Sequence, residues 1–384
     1  MSRPRIGINL LWLLPDAAGG AEEYAIRLLR ALEEVAGDGL DITLLCNRRF
    51  PAAHPELAGG SRIAVAPIDG GTRAARIVAE STWLLREAAD ARLHLVHHLN
   101  NVVPWLRNRP SVLTIHDLRP LVLPETVGRA QGVYLRARLR PSVRRASVIT
   151  TPSAFVRETV IDLLGADPDR VRVVSAPLFH ADAKRNATAG ATSGTSAGPR
   201  HFLYPAITNP HKNHRTLLEA FAKLVAVRDD AVLTLTGGSG PAEGDVKSAI
   251  EELGLSKTVR RLGRVPAEQL DALFRDAVAL VYPSTYEGFG LPLAEAMAMG
   301  CPVIASDRTA LPEVVGDAGI LLDADDVDGW AGAMLRLLDD QSLRARLIAA
   351  GRERARSLTP EEAARRQVDA YRLALETPRR RAAS

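Results

Sequence analysis

The sequence predicts an α/β protein of two domains, on three observations. Short apolar runs of strand length alternate with helical stretches through both halves of the chain, the pattern of parallel sheets covered by helices on both faces. At 384 residues the chain is too long for one compact core. A stretch rich in Ala, Gly, Ser and Thr, residues 181–199 (ADAKRNATAGATSGTSAGP), has no periodicity and reads as a flexible linker between the halves.

In the first half, Arg5 to Leu11, Asp41 to Cys46, Leu93 to His97, Ser111 to Ile115, Ser147 to Thr150 and Val171 to Val174 read as buried strands. Helices fill the gaps, Ala21 to Ala36 being the clearest. In the second half the strands are His201 to Pro205, Ala231 to Thr236, Val259 to Leu262, Val278 to Val281, Val303 to Ala305 and Gly319 to Leu321. Pro360 to Glu376 reads as a terminal helix, and 378–384 as a disordered tail. The domains are therefore expected at 1–180 and 200–359, with the linker at 181–199 and the terminal helix at 360–377.

Composition narrows the function. At 46% hydrophobic, the chain can bury sizeable cores and is no disordered protein. Arg far outnumbers Lys and Ala is abundant, which points to a GC-rich bacterial genome. A formal charge of +4 suits an anionic small molecule or a membrane surface. It is too weak to argue for nucleic acid, and no nucleic-acid motif is present. Cys46 and Cys301 lack metal-ligand spacing and do not suggest a disulfide. The apolar run Ile6 to Leu14 ends at Pro15, is too short to span a bilayer and lacks a small-residue cleavage site. A cytoplasmic protein is expected. The arginines of Tyr134 to Arg145 form either a basic face, for peripheral membrane contact through Arg136–Arg145 or for an anionic acceptor, or a solvated face.

The most informative stretch is Glu287-Gly288-Phe289-Gly290-Leu291-Pro292-Leu293-Ala294-Glu295. It follows a predicted strand and a Pro-Ser-Thr turn and runs into a helix, Leu291 to Met299. Glycines on both sides of Phe289 let backbone N–H groups come close to a ligand. The helix N-terminus that follows suits a phosphate. A carboxylate at each end suits a ligand with hydroxyl pairs on both sides of a diphosphate, because an ionised carboxylate accepts two hydrogen bonds at once. A nucleotide sugar has that shape.

Tyr282 to Ala324 (YPSTYEGFGLPLAEAMAMGCPVIASDRTALPEVVGDAGILLDA) resembles the donor-binding signature of the retaining glycosyltransferases of family 4. The resemblance extends to Gly19-Gly20-Ala21-Glu22, Thr114-Ile115-His116-Asp117-Leu118 and His211-Lys212-Asn213-His214. It implies the GT-B fold, two Rossmann-like domains with parallel sheets facing a central cleft. It also implies a terminal helix that crosses back to the first domain. The implied activity is transfer of a hexose, with retention, from a nucleotide diphosphate sugar to an acceptor hydroxyl. The donor sits in the C-terminal domain, and neither metal nor cofactor takes part. The form of Thr208 and His211-Lys212-Asn213 is similar to that of mannosyltransferase members, so GDP-mannose is the first choice of donor. The acceptor stays open between a glycan, a lipid-linked glycan and a small molecule.

By this resemblance Glu287 contacts the donor-sugar hydroxyls and Glu295 holds the ribose diol. The bland alternative for Glu295 is a first-turn glutamate stabilised by the helix dipole. Gly288, Phe289, Gly290 and Leu291 offer backbone N–H groups to sugar and phosphate oxygens. Lys212 lies at the mouth of a βα unit, where a diphosphate can sit, and neutralises the leaving group. Many relatives carry an arginine a few residues earlier, where this chain reads Tyr204-Pro205-Ala206-Ile207-Thr208-Asn209. His211, Asn213, His214 and Arg215 are the candidates to replace it. His116, at the end of a strand, either orients substrate or satisfies an interior hydrogen bond. Its neighbour Asp117 either holds the imidazole or caps the next turn. Gly19 and Gly20 make a turn at a helix N-terminus, for a diphosphate or an acceptor.

Other signals weigh less. Gly238-Ser239-Gly240 with Gly244 has the wrong spacing for a dinucleotide fingerprint. His94, His97 and His98 have no carboxylate cluster beside them to make a metal site. Asp323-Ala324-Asp325-Asp326 reads as a cap for the helix that follows. Two other readings stand beside the transferase: a non-catalytic nucleotide-sugar binder and a sugar epimerase of the same fold. A phosphorylase is disfavoured because the last lysine is Lys257, well before the two-glutamate loop.

Overall fold

The structure is a computed structural model that describes residues 3–15, 19–36, 39–57, 61–179 and 200–377. The linker expected at 181–199 and the tail expected at 378–384 lie outside them. The chain divides into two compact units. One is formed by the residues up to Pro177 and those from Leu358 onward; the other runs from Leu178 to Ser357.

The first unit is a seven-stranded parallel sheet, ordered β3-β2-β1-β4-β5-β6-β7. Its strands are β1 Arg5–Leu10, β2 Asp41–Cys46, β3 Arg62–Val65, β4 Leu95–His98, β5 Ser111–Thr114, β6 Val148–Thr151 and β7 Val171–Val173. Strands β4, β5 and β6 are buried along their length, and β1 at every residue but Arg5, as expected for a parallel sheet covered on both faces. Strand β3 was not expected from the sequence. It is a four-residue edge strand with an exposed residue at each end, so it carries neither an apolar run nor a clean alternation.

The helix Pro360–Glu376 belongs to this first unit and packs against the helix Gly20–Ala36. It begins well because Thr359 accepts a hydrogen bond from the Glu362 N–H, Pro360 occupies the first position, and Glu361 and Glu362 face the positive dipole end. A buried polar chain ties it to the sheet. His97 bonds Tyr371 Oη at 2.9 Å and Thr114 Oγ1 at 2.7 Å, and Thr114 bonds Thr150 at 2.7 Å.

The second unit is a six-stranded parallel sheet, ordered β10-β9-β8-β11-β12-β13. Its strands are β8 Arg200–Pro205, β9 Ala231–Thr236, β10 Val259–Gly263, β11 Ala279–Tyr282, β12 Val303–Ser306 and β13 Ile320–Leu322. Phe202, Leu203, Leu233, Val281, Ile304, Trp330 and Leu337 are buried in its core. The chain adds strands outward from β8 on one side and from β11 on the other. The β8–β11 boundary is therefore the topological switch point, where loops diverge at the carboxyl ends and open a crevice for ligands.

Among the described residues no helix is long and apolar enough to cross a membrane. Cys46 and Cys301 are free and buried, one in each unit. Burial pushes their thiols up to about 11 and about 12, so neither is a reactive thiolate.

Candidate active site

Two loops meet at the β8–β11 switch point of the second unit. The first leaves β8 and makes a 3₁₀ turn, Pro210–Lys212, before Asn213 at φ 53° and the helix His214–Val225. Tyr204 Oη donates to the Lys212 carbonyl at 2.5 Å, and Asn213 Nδ2 donates to the Ala324 carbonyl at 2.9 Å. The backbone around Lys212 is thus pinned at both sides. The second loop leaves β11 and carries Glu287 to Gly290 into the helix Leu291–Met299. Glu287 N–H donates to Thr309 Oγ1 at 3.0 Å. Thr309 itself stands at φ 57° in the loop after β12, an uncommon conformation for a branched residue.

These two loops bring Lys212 and Glu287 into contact. Lys212 Nζ donates to Glu287 Oε1 at 2.5 Å and to Tyr282 Oη at 3.1 Å. The two charged side chains are only 14% and 13% exposed, so water screens the pair weakly. Burial pushes the Glu287 carboxyl up; the Lys212 ammonium, with Ser284 and His211, outweighs it and holds the group below its ordinary value. Burial drives the hydroxyls of Tyr204 and Tyr282 well above theirs. They stay protonated and serve as dipoles around the pair.

Gly290 starts the helix at φ 100°, and a Cβ there would stand 2.7 Å from Leu311 Cδ2. The positive φ favours glycine, and a Cβ would have to displace the end of the Leu311 side chain. Phe289 and Leu291 are half-buried, as are Gly288 and Glu295. Glu295 is the fifth residue of the helix Leu291–Met299, beyond the first turn, where the dipole effect has faded. The bland explanation of Glu295 by the helix dipole therefore fails.

The candidates to replace the missing arginine fare poorly. Arg215 is engaged with Glu219 at 2.8 Å and Glu252 at 3.1 Å on the outer face of its helix. Burial lowers His214 to about 4, with Lys212 adding to the effect, so it is neutral at physiological pH. Asn213 carries no charge and is committed to Ala324. His211 is buried, and its imidazole is one of the groups that lower the Glu287 carboxyl. The acidic triplet is structural: Asp326 accepts from Gly329 N–H at 2.9 Å and caps the helix Val327–Asp339, and Asp323 pairs with Arg308 at 2.6 Å.

In the first unit, His116 lies two residues beyond the end of β5, a correction to its expected place at the strand end. Its Nε2 meets the Leu99 carbonyl at 3.1 Å, and the His116 backbone N–H donates to Asn101 Oδ1 at 2.8 Å. A carbonyl only accepts, so Nε2 carries the proton and Nδ1 keeps its lone pair. Burial lowers the imidazole's pKa, against the Leu99 bond and Asp117. Asp117 caps the next turn by accepting from Arg119 N–H at 3.0 Å. Tyr24 and Trp12 wall the ring, with centroids 5.1 and 6.3 Å away. The buried Trp12 indole N–H finds no partner among the described residues. Neither aromatic was expected at the site; a Trp just past the first strand and a Tyr one turn into the first helix were the available signals. Gly19 stands at φ 57° and its carbonyl accepts from Glu22 N–H at 3.0 Å, starting the helix Gly20–Ala36.

The remaining histidines of this unit are structural. His94 Nδ1 accepts from Arg5 N–H at 2.8 Å, and His98 stands 3.2 Å from Asn9 Nδ2. The basic helix needs correction. Arg138 is buried, with its guanidinium 3.6 Å above the Trp105 ring and bonded to the Val103 carbonyl at 2.5 Å. Arg145 donates to the Trp105 carbonyl at 2.6 Å. Arg136, Arg140 and Arg144 are the exposed arginines of that segment, one helical turn apart.

Residues 18–177 match Glycosyltransferase Family 4, and residues 191–354 match Glycosyl transferases group 1. O-antigen chain mannosyltransferase B of Escherichia coli is 34% identical over 296 residues, 76% of this chain and 76% of that protein. The chain belongs to glycosyltransferase family 4. O-antigen chain mannosyltransferase RfbU of Salmonella typhimurium is 27% identical, over 84% of this chain and 88% of that one. Sucrose-phosphate synthase of Thermosynechococcus elongatus shares the fold with a TM-score of 0.76, covering 96% of this chain and 98% of its own at 22% identity. This family 4 chain is thus a glycosyltransferase with the GT-B fold.

Proposed function

We propose that the protein transfers a hexose, with retention, from a nucleotide diphosphate sugar to an acceptor hydroxyl, and that the donor binds at the β8–β11 switch point. The observation that carries this reading is the meeting of Lys212 and Glu287 there, 75 residues apart in sequence. A cation and a carboxylate side by side suit the junction of a diphosphate and a sugar: the ammonium takes the phosphate oxygens and the carboxylate takes the hydroxyls. Gly288 to Leu291 lead into the helix start below the phosphates, and Glu295 holds the ribose diol. Both relatives named above are mannosyltransferases, which supports GDP-mannose as donor.

In the reaction the bond from C1 to the diphosphate breaks and its electrons leave on the phosphate oxygen. The acceptor oxygen bonds C1 on the same face, and its proton passes to the departing phosphate. Lys212 stabilises the charge that develops there. In the first unit, His116 accepts a hydrogen bond from a substrate hydroxyl through Nδ1. No metal or cofactor takes part in this reading. The exposed stripe Arg136, Arg140 and Arg144 is the surface for peripheral contact with an anionic membrane, a route to a lipid-linked glycan acceptor.

A thermal-shift screen against nucleotide sugars tests the donor, because a ligand raises apparent stability by mass action. GDP-mannose is expected to give the largest shift. Turnover of that donor with acceptor, yielding an α-linked product from the α-linked donor, tests transfer and retention. Binding without turnover across glycan acceptors would favour the non-catalytic binder, which the missing arginine also favours.

A further inference from the structure

The Lys212–Glu287 pair sets two groups of the donor site against each other. The ammonium that the diphosphate needs is already held by a carboxylate at 2.5 Å. Backbone hydrogen bonds pin both residues, through Tyr204 on one side and Thr309 on the other. The pair therefore opens by side-chain rotation alone, and the lysine stem has the freedom to do so. Tyr282 Oη, 3.1 Å from Nζ, gives the ammonium a second partner.

What Glu287 does once the pair opens depends on the ligand. Beside a nucleotide sugar it accepts hydrogen bonds from hexose hydroxyls. Beside a nucleoside diphosphate alone it faces a polyanion, with no hydroxyl to accept from and its lysine taken. We propose that Glu287 is a release residue: once the hexose has left, it reclaims Lys212 from the spent diphosphate and expels it. The site then holds nucleotide sugar more tightly than its own product. This inference rests on the donor reading above.

Calorimetry with GDP and GDP-mannose, and with UDP and UDP-glucose in parallel, tests it. In the wild type the sugar nucleotide is expected to bind more tightly than the matching diphosphate. Glu287→Gln should tighten the diphosphate about tenfold, the size of one charge-assisted hydrogen bond, while weakening the sugar nucleotide. Glu287→Ala removes the same carboxylate and should also tighten the diphosphate, so the test survives if one variant fails to fold. In a Lys212→Met background the gain from Glu287→Gln should shrink, since there is no lysine left to compete for. Unchanged or weaker diphosphate binding in both glutamate variants overturns the inference. An equal gain with and without Lys212 also overturns it, since simple repulsion then explains everything. If the wild type binds none of the four ligands, the donor reading itself fails and takes this inference with it.

Discussion

The two units place opposite chemistry at the ends of their strands. In the first, three imidazoles near β1, β4 and β5, those of His97, His98 and His116, are buried with lowered pKa values; Tyr24 and Trp12 pack against His116, and Asn9 stands between His98 and the buried Glu80 carboxyl. In the second, the β8 and β11 loops bring an ammonium and a carboxylate into contact. Buried imidazoles held neutral act as dipoles, whereas a buried ammonium–carboxylate pair keeps two full charges side by side. One architecture, a parallel sheet, thus carries different chemistry in its two units through what its loops hold.

The sharpest way to break this contrast is to remove the charge from the second unit. Lys212→Ala is expected to lower kcat by roughly 10²–10³, the loss when one donor leaves a preorganised site, and Lys212→Arg to restore part of it. Steady-state kinetics at saturating donor would show it. A normal kcat with only a raised KM would reduce Lys212 to a ground-state contact.

Acid tests the neutral side. The folded-state pKa values of His97, His98 and His116 lie below their unfolded values. The unfolded chain then binds more protons as the pH falls, so their contribution is present above about pH 6.5. It is lost as the pH drops toward the folded values. For His98, lowered to about 3 mainly by burial, the loss at pH 5 is about 2 kcal/mol. Urea unfolding between pH 7 and pH 5, above most carboxylate titration, should show stability falling with pH. A flat profile would mean these imidazoles are not held neutral.

Two substitutions sharpen the second unit. Gly290→Ala meets both a positive φ and Leu311 at 2.7 Å and should cost roughly 1–3 kcal/mol in thermal unfolding. Glu295→Gln should weaken nucleotide binding by about 1–3 kcal/mol; unchanged affinity by calorimetry would remove it from the ribose. The smallest expected effect is none: EDTA should leave the transfer rate intact. A rate lost on chelation and restored by Mg²⁺ would turn attention back to Asp323, Asp325 and Asp326.

Much of this was legible in the sequence, because it rests on local signals. Strand runs such as Ala231–Thr236 and the helices Leu291–Met299 and Pro360–Glu376 carry their own period, caps and prolines, and they fall where expected. The two-glutamate loop was equally plain. The edge strand β3 escaped because it is short and half-exposed. The contact of Lys212 with Glu287 escaped for another reason: it depends on β8 and β11 lying side by side, a long-range fact that no local pattern states. Thr309 at φ 57° gave no signal at all, since nothing in Asp307-Arg308-Thr309 marks a left-handed turn. Arg138 shows the converse error, a charge in a basic run that the fold buries over Trp105.

Hydrogen exchange at saturating GDP-mannose reports where the donor sits. With the donor at the β8–β11 switch point, exchange should slow in its two loops, 206–214 and 283–296. Saturable binding that leaves both segments exchanging at their free rates would contradict it.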